Sequence, residues 1–516
     1  MATIKKSLPE LLVGMVRSPV VLQDINVTSI RLDSRQVQAG GLFLSLAHDI
    51  EQRQQYLQQA LDLGAVVVLF DNKQSLTEQE VESLDQAKVP AYPIKNLLDK
   101  MSEIAARFYG HPSLALTIIA VTGTNGKTSV SQFIAQSLEF LGHACGVIGT
   151  LGVGRLDQLD DTGMTTPDPI SLQAILAEFC HQDIHYVVIE ASSHALDQGR
   201  LNSVAIDVAV LTNLSRDHLD YHQDMTGYAA AKSQLFNFAS IKTAVINQAD
   251  SLGQTLLTTL AGNDSLSLLS YSSDAEDVSV TLQAQEIQSD MDGLQFNVMS
   301  EFGSTKIHSP LLGQFNVDNL LATVTSLLAI GLTFDDAMTA IQHCHSVDGR
   351  MQRYGSKQQP QVVIDFAHTP DALTQTLQSL RFHLTPNSLL WCVFGCGGDR
   401  DVGKRALMGT SAELNADKVI LTDDNPRSED PDVIVSDILS GITDRQKIQI
   451  EHDRKLAITH AINSATVMDI VLVAGKGHEQ YQEIARVRYP FNDADVVVKS
   501  LQTYRSNVDI LAEVQA

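Results

Sequence analysis

Short apolar runs alternate with stretches of helical periodicity along most of this chain. In the first hundred residues the runs at 42–46 and 65–70 predict strands, with a helix at 56–63 between them. Residues 98–110 read as a further helix that ends at Gly110-His111-Pro112, a natural join. Next come predicted strands at 116–121, 144–148, 185–190, 206–212 and 243–247, with helices at 129–141, 170–181 and 227–239. Such alternation predicts a mostly parallel sheet covered on both faces. The texture then changes. Segments 278–284, 294–299 and 305–309 alternate apolar with polar residues around an Asp290-Met-Asp-Gly293 turn, which predicts a small antiparallel insertion. A helix at 316–330 follows. A second alternating block begins near 348, with strands at 361–366, 388–394, 417–422, 447–451 and 469–474. The expected fold is α/β in three domains: a small one at 1–97, a central phosphate-loop ATPase-like one at 98–347 carrying the insertion, and a Rossmann-like one at 348–516.

Composition narrows the classes. At 516 residues the chain is too long for one core, and 44% apolar with 19% charged residues predicts packed domains. A formal net charge of −25 argues against binding nucleic acid or an anionic membrane, so an anionic substrate must be met by local cations. Met1-Ala-Thr-Ile-Lys-Lys-Ser7 has no apolar segment behind its lysines and does not read as a secretory signal. No apolar run approaches the length of a membrane span. Cysteines 145, 180, 344, 392 and 396 are odd in number and lack Cys-x-x-Cys spacing, which reads as reduced, mostly buried thiols in a cytoplasmic protein. His181 and His185 have the spacing of a metal pair without an acidic partner, and read as ordinary histidines rather than zinc ligands.

The most informative stretch is Thr122-Gly123-Thr124-Asn125-Gly126-Lys127-Thr128-Ser129, between a predicted strand and a predicted helix. A glycine-rich turn there aims backbone N–H groups, the helix dipole and a lysine at one spot suited to nucleotide phosphates. The glycines sit three apart rather than five, so the loop departs from the common phosphate-loop pattern. A carboxylate, Glu190, ends a neighbouring strand, where phosphate-loop proteins hold Mg²⁺. Another strand leads into Asn213-Leu-Ser-Arg-Asp217-His218-Leu-Asp220-Tyr221-His222, rich in ligand types for a divalent ion. Lys232 sits among alanines in an apolar helix. It is either a lysine that snorkels to water or a desolvated amine able to react, for example with CO₂ to give a carbamate.

In the last domain Gly395-Cys-Gly-Gly-Asp-Arg400, Asp424-Asn425-Pro426-Arg427 and Ala474-Gly475-Lys-Gly-His-Glu479 each follow a predicted strand and should gather at one sheet edge. Arginine fits a carboxylate and glutamate an ammonium, so these residues make a clamp for an amino acid. The plainer reading pairs Arg427 with Glu429 or Asp430 on the surface.

Together these stretches resemble the Mur ligases, ATP-dependent enzymes of peptidoglycan peptide synthesis. The resemblance rests on Thr122–Thr128, Asn213–His222, Gly313-Gln-Phe-Asn316-Val-Asp-Asn319, Asp348-Gly-Arg350-Met and Asp365-Phe-Ala-His-Thr-Pro370, in the family's order and over essentially the whole chain. Asp424-Asn-Pro-Arg427 resembles the branch that adds meso-2,6-diaminopimelate rather than L-lysine. The resemblance implies a UDP-substrate domain, an ATP domain and an amino-acid domain, in that order. It implies that Leu32, Ser34 and His48 contact the uridine end, and that Thr165, Thr166, Ser192, Gln198 and Arg200 hold the muramoyl-dipeptide. Gly123 to Ser129, Asn316, Arg350 and Asp365 would bind ATP. Thr128, Glu190, His218 and a carbamylated Lys232 would serve Mg²⁺, and Lys127, Glu190, His218 and Lys232 would be the catalytic set. Arg400, Asp424, Asn425, Pro426, Arg427, Gly475 and Glu479 would bind diaminopimelate. The implied protein is a cytoplasmic monomer. Met164 and Asp49-Ile50 depart from the family pattern on the UDP-substrate side, and Ser129 stands where threonine is common.

The implied chemistry activates the D-Glu side-chain carboxylate as an acyl phosphate at the expense of ATP, and the amine then attacks. Closure of two facing domains would keep water from the acyl phosphate. Rival readings are an L-lysine-adding ligase, a folylpolyglutamate synthase-like ligase, a phosphate-loop kinase and a silent nucleotide-binding regulator. A kinase leaves the Arg400 and Arg427 cluster without a use, and intact Lys127, Glu190, His218 and Lys232 speak against a silent regulator.

Overall fold

The computed structural model describes residues 4–16, 21–274 and 279–504, and all but the side chain of Asp220 within them. Residues 1–3 of the N-terminal stretch, the predicted strand start at Val278 and the Asp220 side chain lie outside what is described. The chain forms two compact units, one of residues 1–270 with 326–331 and one of 271–325 with 332–516.

The first unit opens with a four-stranded parallel sheet, Ser29–Arg31, Gly41–Ser45, Ala65–Asp71 and Ala91–Ile94 in that order. Helix Ile50–Asp62 starts earlier than its apolar spacing predicts, because the Asp49 side chain caps it by accepting from Gln52 N at 2.9 Å. A helix the apolar pattern does not announce, Glu78–Ala87, is set by a capping box between Thr77 and Glu80. Glu80 also forms a buried ion pair with Arg53 at 2.6 Å.

The second sheet of this unit runs Gln158–Asp160, Gly152–Arg155, Cys145–Gly149, Tyr186–Glu190, Thr117–Thr122, Val208–Leu211, Thr243–Asn247 and Ser267–Ser272. The strands Cys145–Gly149, Tyr186–Glu190, Thr117–Thr122, Val208–Leu211 and Thr243–Asn247 pair in parallel. They are buried along nearly their whole length, as strands covered on both faces must be. Their register decides the site: Glu190 pairs with Val121 and Leu211 with Thr122. The three strands therefore end level, and Gly123, Ala191 and Thr212 emerge side by side at one edge. That edge, at the carboxyl ends of the strands, is where ligands bind in open α/β sheets.

In the second unit Leu282–Asp290, Gly293–Ser300 and Gly303–Ser309 form the predicted antiparallel meander. The other sheet has the order Gln352–Tyr354, Gln361–Asp365, Ile470–Ala474, Leu390–Phe394, Lys418–Leu421, Ile448–Ile450, parallel except at its first, antiparallel edge. Asp365 pairs with Ala474, so the turns after these strands also share an edge. Buried His383 ties the two parts of this unit together. Its Nε2 accepts from Gly313 N at 2.8 Å and its Nδ1 donates to Asp290 O at 2.7 Å.

Four cysteines are buried and Cys180 is half-buried, and all five are free thiols. No helix among the described residues is long and apolar enough to cross a membrane.

Candidate active site

The phosphate loop is held from the neighbouring strand end. Thr124 N donates to Asn213 O at 2.8 Å and Asn125 N to Asn213 Oδ1 at 3.0 Å, while Thr212 Oγ1 donates to Asn125 O at 2.6 Å. Ser215 N in turn donates to Thr124 Oγ1 at 2.9 Å. Gly123 has φ +150° and lies so close to Thr212 that a Cβ would overlap its hydroxyl. Gly126, at φ +84°, turns the chain into helix Lys127–Phe140. Lys127 Nζ donates to the Gly123 and Thr124 carbonyls, both at 2.9 Å. Ser129 is buried in the first helical turn.

Glu190 is fully buried and its carboxylate is fixed from three sides. Thr128 Oγ1 donates to Oε2 at 3.0 Å, Thr150 Oγ1 to the same oxygen at 3.1 Å, and Thr150 N to Oε1 at 2.9 Å. Thr150 Oγ1 also lies 3.0 Å from Thr165 Oγ1. Thr166 Oγ1 donates to the Glu190 carbonyl at 2.5 Å and sits 3.2 Å from Ser192 Oγ. Arg200 Nη1 donates to Thr166 O at 2.6 Å, and its other nitrogens grip Gln198 Oε1 at 2.7 and 3.0 Å. Burial holds the Arg200 pKa below its ordinary value. Thr165, Thr166, Ser192, Gln198 and Arg200 thus form one chain of contacts running from Glu190.

Lys232, 1% exposed, reaches the loop from helix Met225–Ser233 and donates to Gly123 O at 2.6 Å. Of its two readings the buried amine is correct and the snorkelling one is not. Burial, and then the charge of Lys127, push its pKa down to about 6, against the opposing pull of Asp217 and Asp250. His218 takes a left-handed backbone, φ +52°, with Nε2 3.4 Å from Asp217 Oδ2 and its ring 5.0 Å from that of His194. Burial lowers its pKa against the pull of Asp217, and so favours the neutral ring.

In the connections that follow strands Ser29–Arg31 and Gly41–Ser45, Ser34 is buried and donates to Gln59 Oε1 at 2.8 Å, Leu32 is half-buried and His48 is exposed.

Within the second unit, Asn316 is buried, donating to Leu312 O and accepting from Asn319 Nδ2, both at 2.8 Å. Asp365 accepts from Met351 N at 2.8 Å and Ala367 N at 2.9 Å, and burial raises its pKa against the nearby charge of Arg350. Arg350 stacks 5.0 Å from the Phe366 ring, and its buried Nε has no hydrogen-bond partner among the described residues. A buried guanidinium donor without a partner is costly and calls for an anion.

The three turns predicted to clamp an amino acid do meet at one edge: Gly398 N donates to Asn425 O at 2.9 Å. Asn425 is their hub: Nδ2 donates to Glu479 Oε2 at 2.9 Å, and Oδ1 accepts from Glu483 N at 2.8 Å. Arg427 has φ +51°. It donates through Nη1 to Gly398 O at 2.7 Å, and its Nε stands 3.7 Å from Glu483 Oε2. The surface pairing with Glu429 or Asp430 is therefore incorrect. Glu429 is taken by Arg405 at 2.9 Å, and Asp430 caps the next helix. Gly475, at φ +110°, must be glycine, because a Cβ would stand 2.7 Å from Asp424 Oδ2. Asp424 and Pro426 are buried, while Arg400 is exposed.

Three family models match this chain in the same order as these parts: the Mur ligase family catalytic domain at residues 26–109, the Mur ligase middle domain at 121–327, and the Mur ligase glutamate ligase domain at 349–477. The UDP-N-acetylmuramoyl-L-alanyl-D-glutamate–2,6-diaminopimelate ligase of Pseudomonas aeruginosa is 43% identical over 487 residues, 94% of this chain and 97% of its own. The ligase of the same name from Coxiella burnetii is 43% identical over 94% of this chain and 98% of its own. The chain belongs to the Mur ligase family. A solved structure of a like-named ligase aligns with a TM-score of 0.71 at 36% identity, covering 96% of this chain and 99% of that one. The fold is the three-domain α/β fold of Mur ligases, and the chain is an ATP-dependent ligase of that family.

For this Mur ligase the departures have local reasons. Asp49 is spent on capping a helix. Met164 is half-exposed, with its sulfur 3.9 Å from Arg200 Nη1, so it lies against the predicted dipeptide contacts without displacing them. Residues the sequence did not single out are Thr150, Ser215, Lys476 and Glu483. Each acts through a partner distant along the chain or through a turn that spacing does not reveal.

Proposed function

We propose that this chain adds meso-2,6-diaminopimelate to the D-Glu side-chain carboxylate of UDP-N-acetylmuramoyl-L-alanyl-D-glutamate, as a cytoplasmic monomer serving peptidoglycan synthesis. The observation that carries the reading is the match to like-named relatives across 94% of the chain, with Asp424-Asn425-Pro426-Arg427 placed at the edge that also carries Glu479.

In this reading a D-Glu carboxylate oxygen attacks the γ-phosphorus of ATP, the bridging bond to the β-phosphate breaks, and ADP leaves. The amine of diaminopimelate then attacks the acyl carbon, phosphate departs and the amine loses a proton. Lys127 and the N–H groups of Gly123 to Ser129 hold the phosphates, with Lys127 leaving the Gly123 and Thr124 carbonyls as they arrive. The unpartnered Arg350 Nε suits an anionic oxygen of the nucleotide, with Asp365 orienting the turn beside it and Asn316 completing that part of the site. Thr165, Thr166, Ser192, Gln198 and Arg200 receive the dipeptide beside Glu190, and Leu32, Ser34 and His48 receive the uridine end.

Thr128 and Glu190, an alcohol and a buried carboxylate 3.0 Å apart, are hard oxygen donors that fit Mg²⁺, with His218 and a carbamate on Lys232 as further ligands. Bound there, Mg²⁺ would neutralise charge on the transferring phosphoryl group. Arg400, Asp424, Asn425, Pro426, Arg427, Gly475 and Glu479 form the diaminopimelate site. The test is ADP release measured with each substrate omitted in turn, with the product weighed by mass spectrometry. Release must require both the UDP-dipeptide and diaminopimelate, and ADP formed equally well without the amino acid overturns the reading.

A further inference from the structure

Lys476 is a wholly buried cation at the amino-acid edge, and the chemistry above makes no use of it. It lies between Gly475 and Gly477, directly after the strand Ile470–Ala474. Its Nζ donates to Glu479 Oε2 at 2.6 Å and to Asn425 Oδ1 at 3.2 Å. Asn425 Nδ2 donates to the same Oε2 at 2.9 Å. One oxygen of Glu479 is therefore held twice, while no hydrogen bond reaches the other, Oε1, among the described residues.

Asp424, Glu479 and Asp493 lie near the cations Arg454 and Lys476, and burial raises the pKa of Asp424. Arg454 is spent on Asp493 in a buried double hydrogen bond at 2.8 Å. A carboxylate oxygen left open, beside one that is fixed, suits a cation.

We propose that Lys476 is a positioning residue for the amino-acid site: with Asn425 it fixes one oxygen of Glu479, so that the other is presented to the ammonium of the distal stereocentre. The inference rests on the ligase reading above. A flexible glutamate would lose this geometry to rotation about its own side chain, and the buried lysine removes that freedom. Lysine suits the place because its compact ammonium sits between Asn425 Oδ1 and Glu479 Oε2 and donates to both.

The experiment compares diaminopimelate with L-2-aminopimelate, which keeps the attacking amine and both carboxylates but lacks the distal ammonium. Wild type should favour diaminopimelate in kcat/KM by about tenfold or more. In Lys476→Met the KM for diaminopimelate should rise about tenfold with kcat little changed, and the preference should collapse. KM values for ATP and the UDP-dipeptide should not move. Asn425→Ala, which removes the other bond to the same oxygen, should lose preference in the same direction. Lys476→Met added to Glu479→Ala should cost no further preference. A wild type without preference between the two amino acids overturns the proposal, whatever the variants do. So does a Lys476→Met enzyme that keeps the preference, or that loses both substrates equally, as a merely structural lysine would. A wild type that ligates neither amino acid refutes the ligase reading instead.

Discussion

Lys232 Nζ donates to the carbonyl oxygen of Gly123 at 2.6 Å, so a lysine from a distant helix supports the phosphate loop from within. With its pKa pushed down to about 6, the amine is mostly neutral at pH 7. The unfolded chain then holds a proton there that the folded chain does not, so stability rises with pH from about 6 toward the ordinary lysine value. Lys232→Met removes that penalty. In CO₂-free buffer without nucleotide, the variant should melt higher than wild type. Its advantage should be greatest near pH 6 to 7 and shrink toward pH 9. An advantage that instead grows with pH refutes the buried neutral amine.

The same neutral amine is the form that attacks CO₂. We expect Lys232 to be carbamylated in bicarbonate with Mg²⁺ and nucleotide, because the carbamate puts an anion beside the proposed metal position in place of a neutral amine. ¹³C NMR with labelled bicarbonate should give a carbamate resonance that Lys232→Met lacks. Ligation should be lost in the variant despite its higher melting temperature, and full activity in Lys232→Met excludes the modification as a catalytic requirement.

Lys127 Nζ donates to the Gly123 and Thr124 carbonyls, within its own loop. Removing it should spare the fold and strike phosphoryl transfer, where a positioned donor is worth about 3 kcal/mol or more. Lys127→Ala should lose about 10²-fold or more in kcat at an unchanged melting temperature. Ligation within tenfold of wild type in a well-folded variant counts against the assignment.

Thr150 gives Glu190 two of its hydrogen bonds and touches Thr165 with the same hydroxyl. Thr150→Val keeps the shape and the N–H bond but removes the hydroxyl. Groups that orient a metal-binding carboxylate typically matter by about 10- to 100-fold in metal affinity or activity. The Mg²⁺ concentration for half-maximal activity should rise by about that much, with the KM for diaminopimelate unmoved. An unchanged Mg²⁺ dependence removes Thr150 from this role.

The parts of the site legible in the sequence are those that one strand and its following turn contain. The run ending at Thr122 and the glycines after it identify the phosphate loop, and the Asp424–Arg427 turn identifies its own clamp. What was not legible depends on strand order. The sequence places Glu190 at the end of a neighbouring strand, but the register that sets Ala191 and Thr212 level with the loop, on either side of Thr117–Thr122, is encoded by no local pattern. Helix Glu78–Ala87 escapes apolar periodicity because its capping box and the Arg53–Glu80 pair fix it more than an apolar stripe does. The short hairpin Tyr481–Ile484 with Val487–Pro490, which brings Glu483 to Arg427, is exposed along its second strand and leaves no burial signature.

Arg427 should set the choice of diaminopimelate over L-lysine. The two differ by a carboxylate at the far end, and a half-buried arginine facing it gains a charge-assisted, bidentate pair. The geometry is prepared for this. Buried Pro426 fixes the preceding backbone, and Arg427 N donates to Glu483 O at 3.0 Å. Its Nη1 is held by Gly398 O, and a Cβ on Gly397 would come within 2.9 Å of that nitrogen, so glycine keeps the guanidinium accessible. With L-lysine the same guanidinium meets an ammonium in place of a carboxylate. Sites that leave a polar group without its partner reject the analogue by about 10⁴-fold or more. Arg427→Ala should therefore lose most of its kcat/KM for diaminopimelate and bring the two amino acids within about tenfold of each other. The measurement is kcat/KM for both amino acids in both enzymes. A wild type that uses L-lysine comparably, or a variant whose preference is undiminished, assigns the selection to other residues.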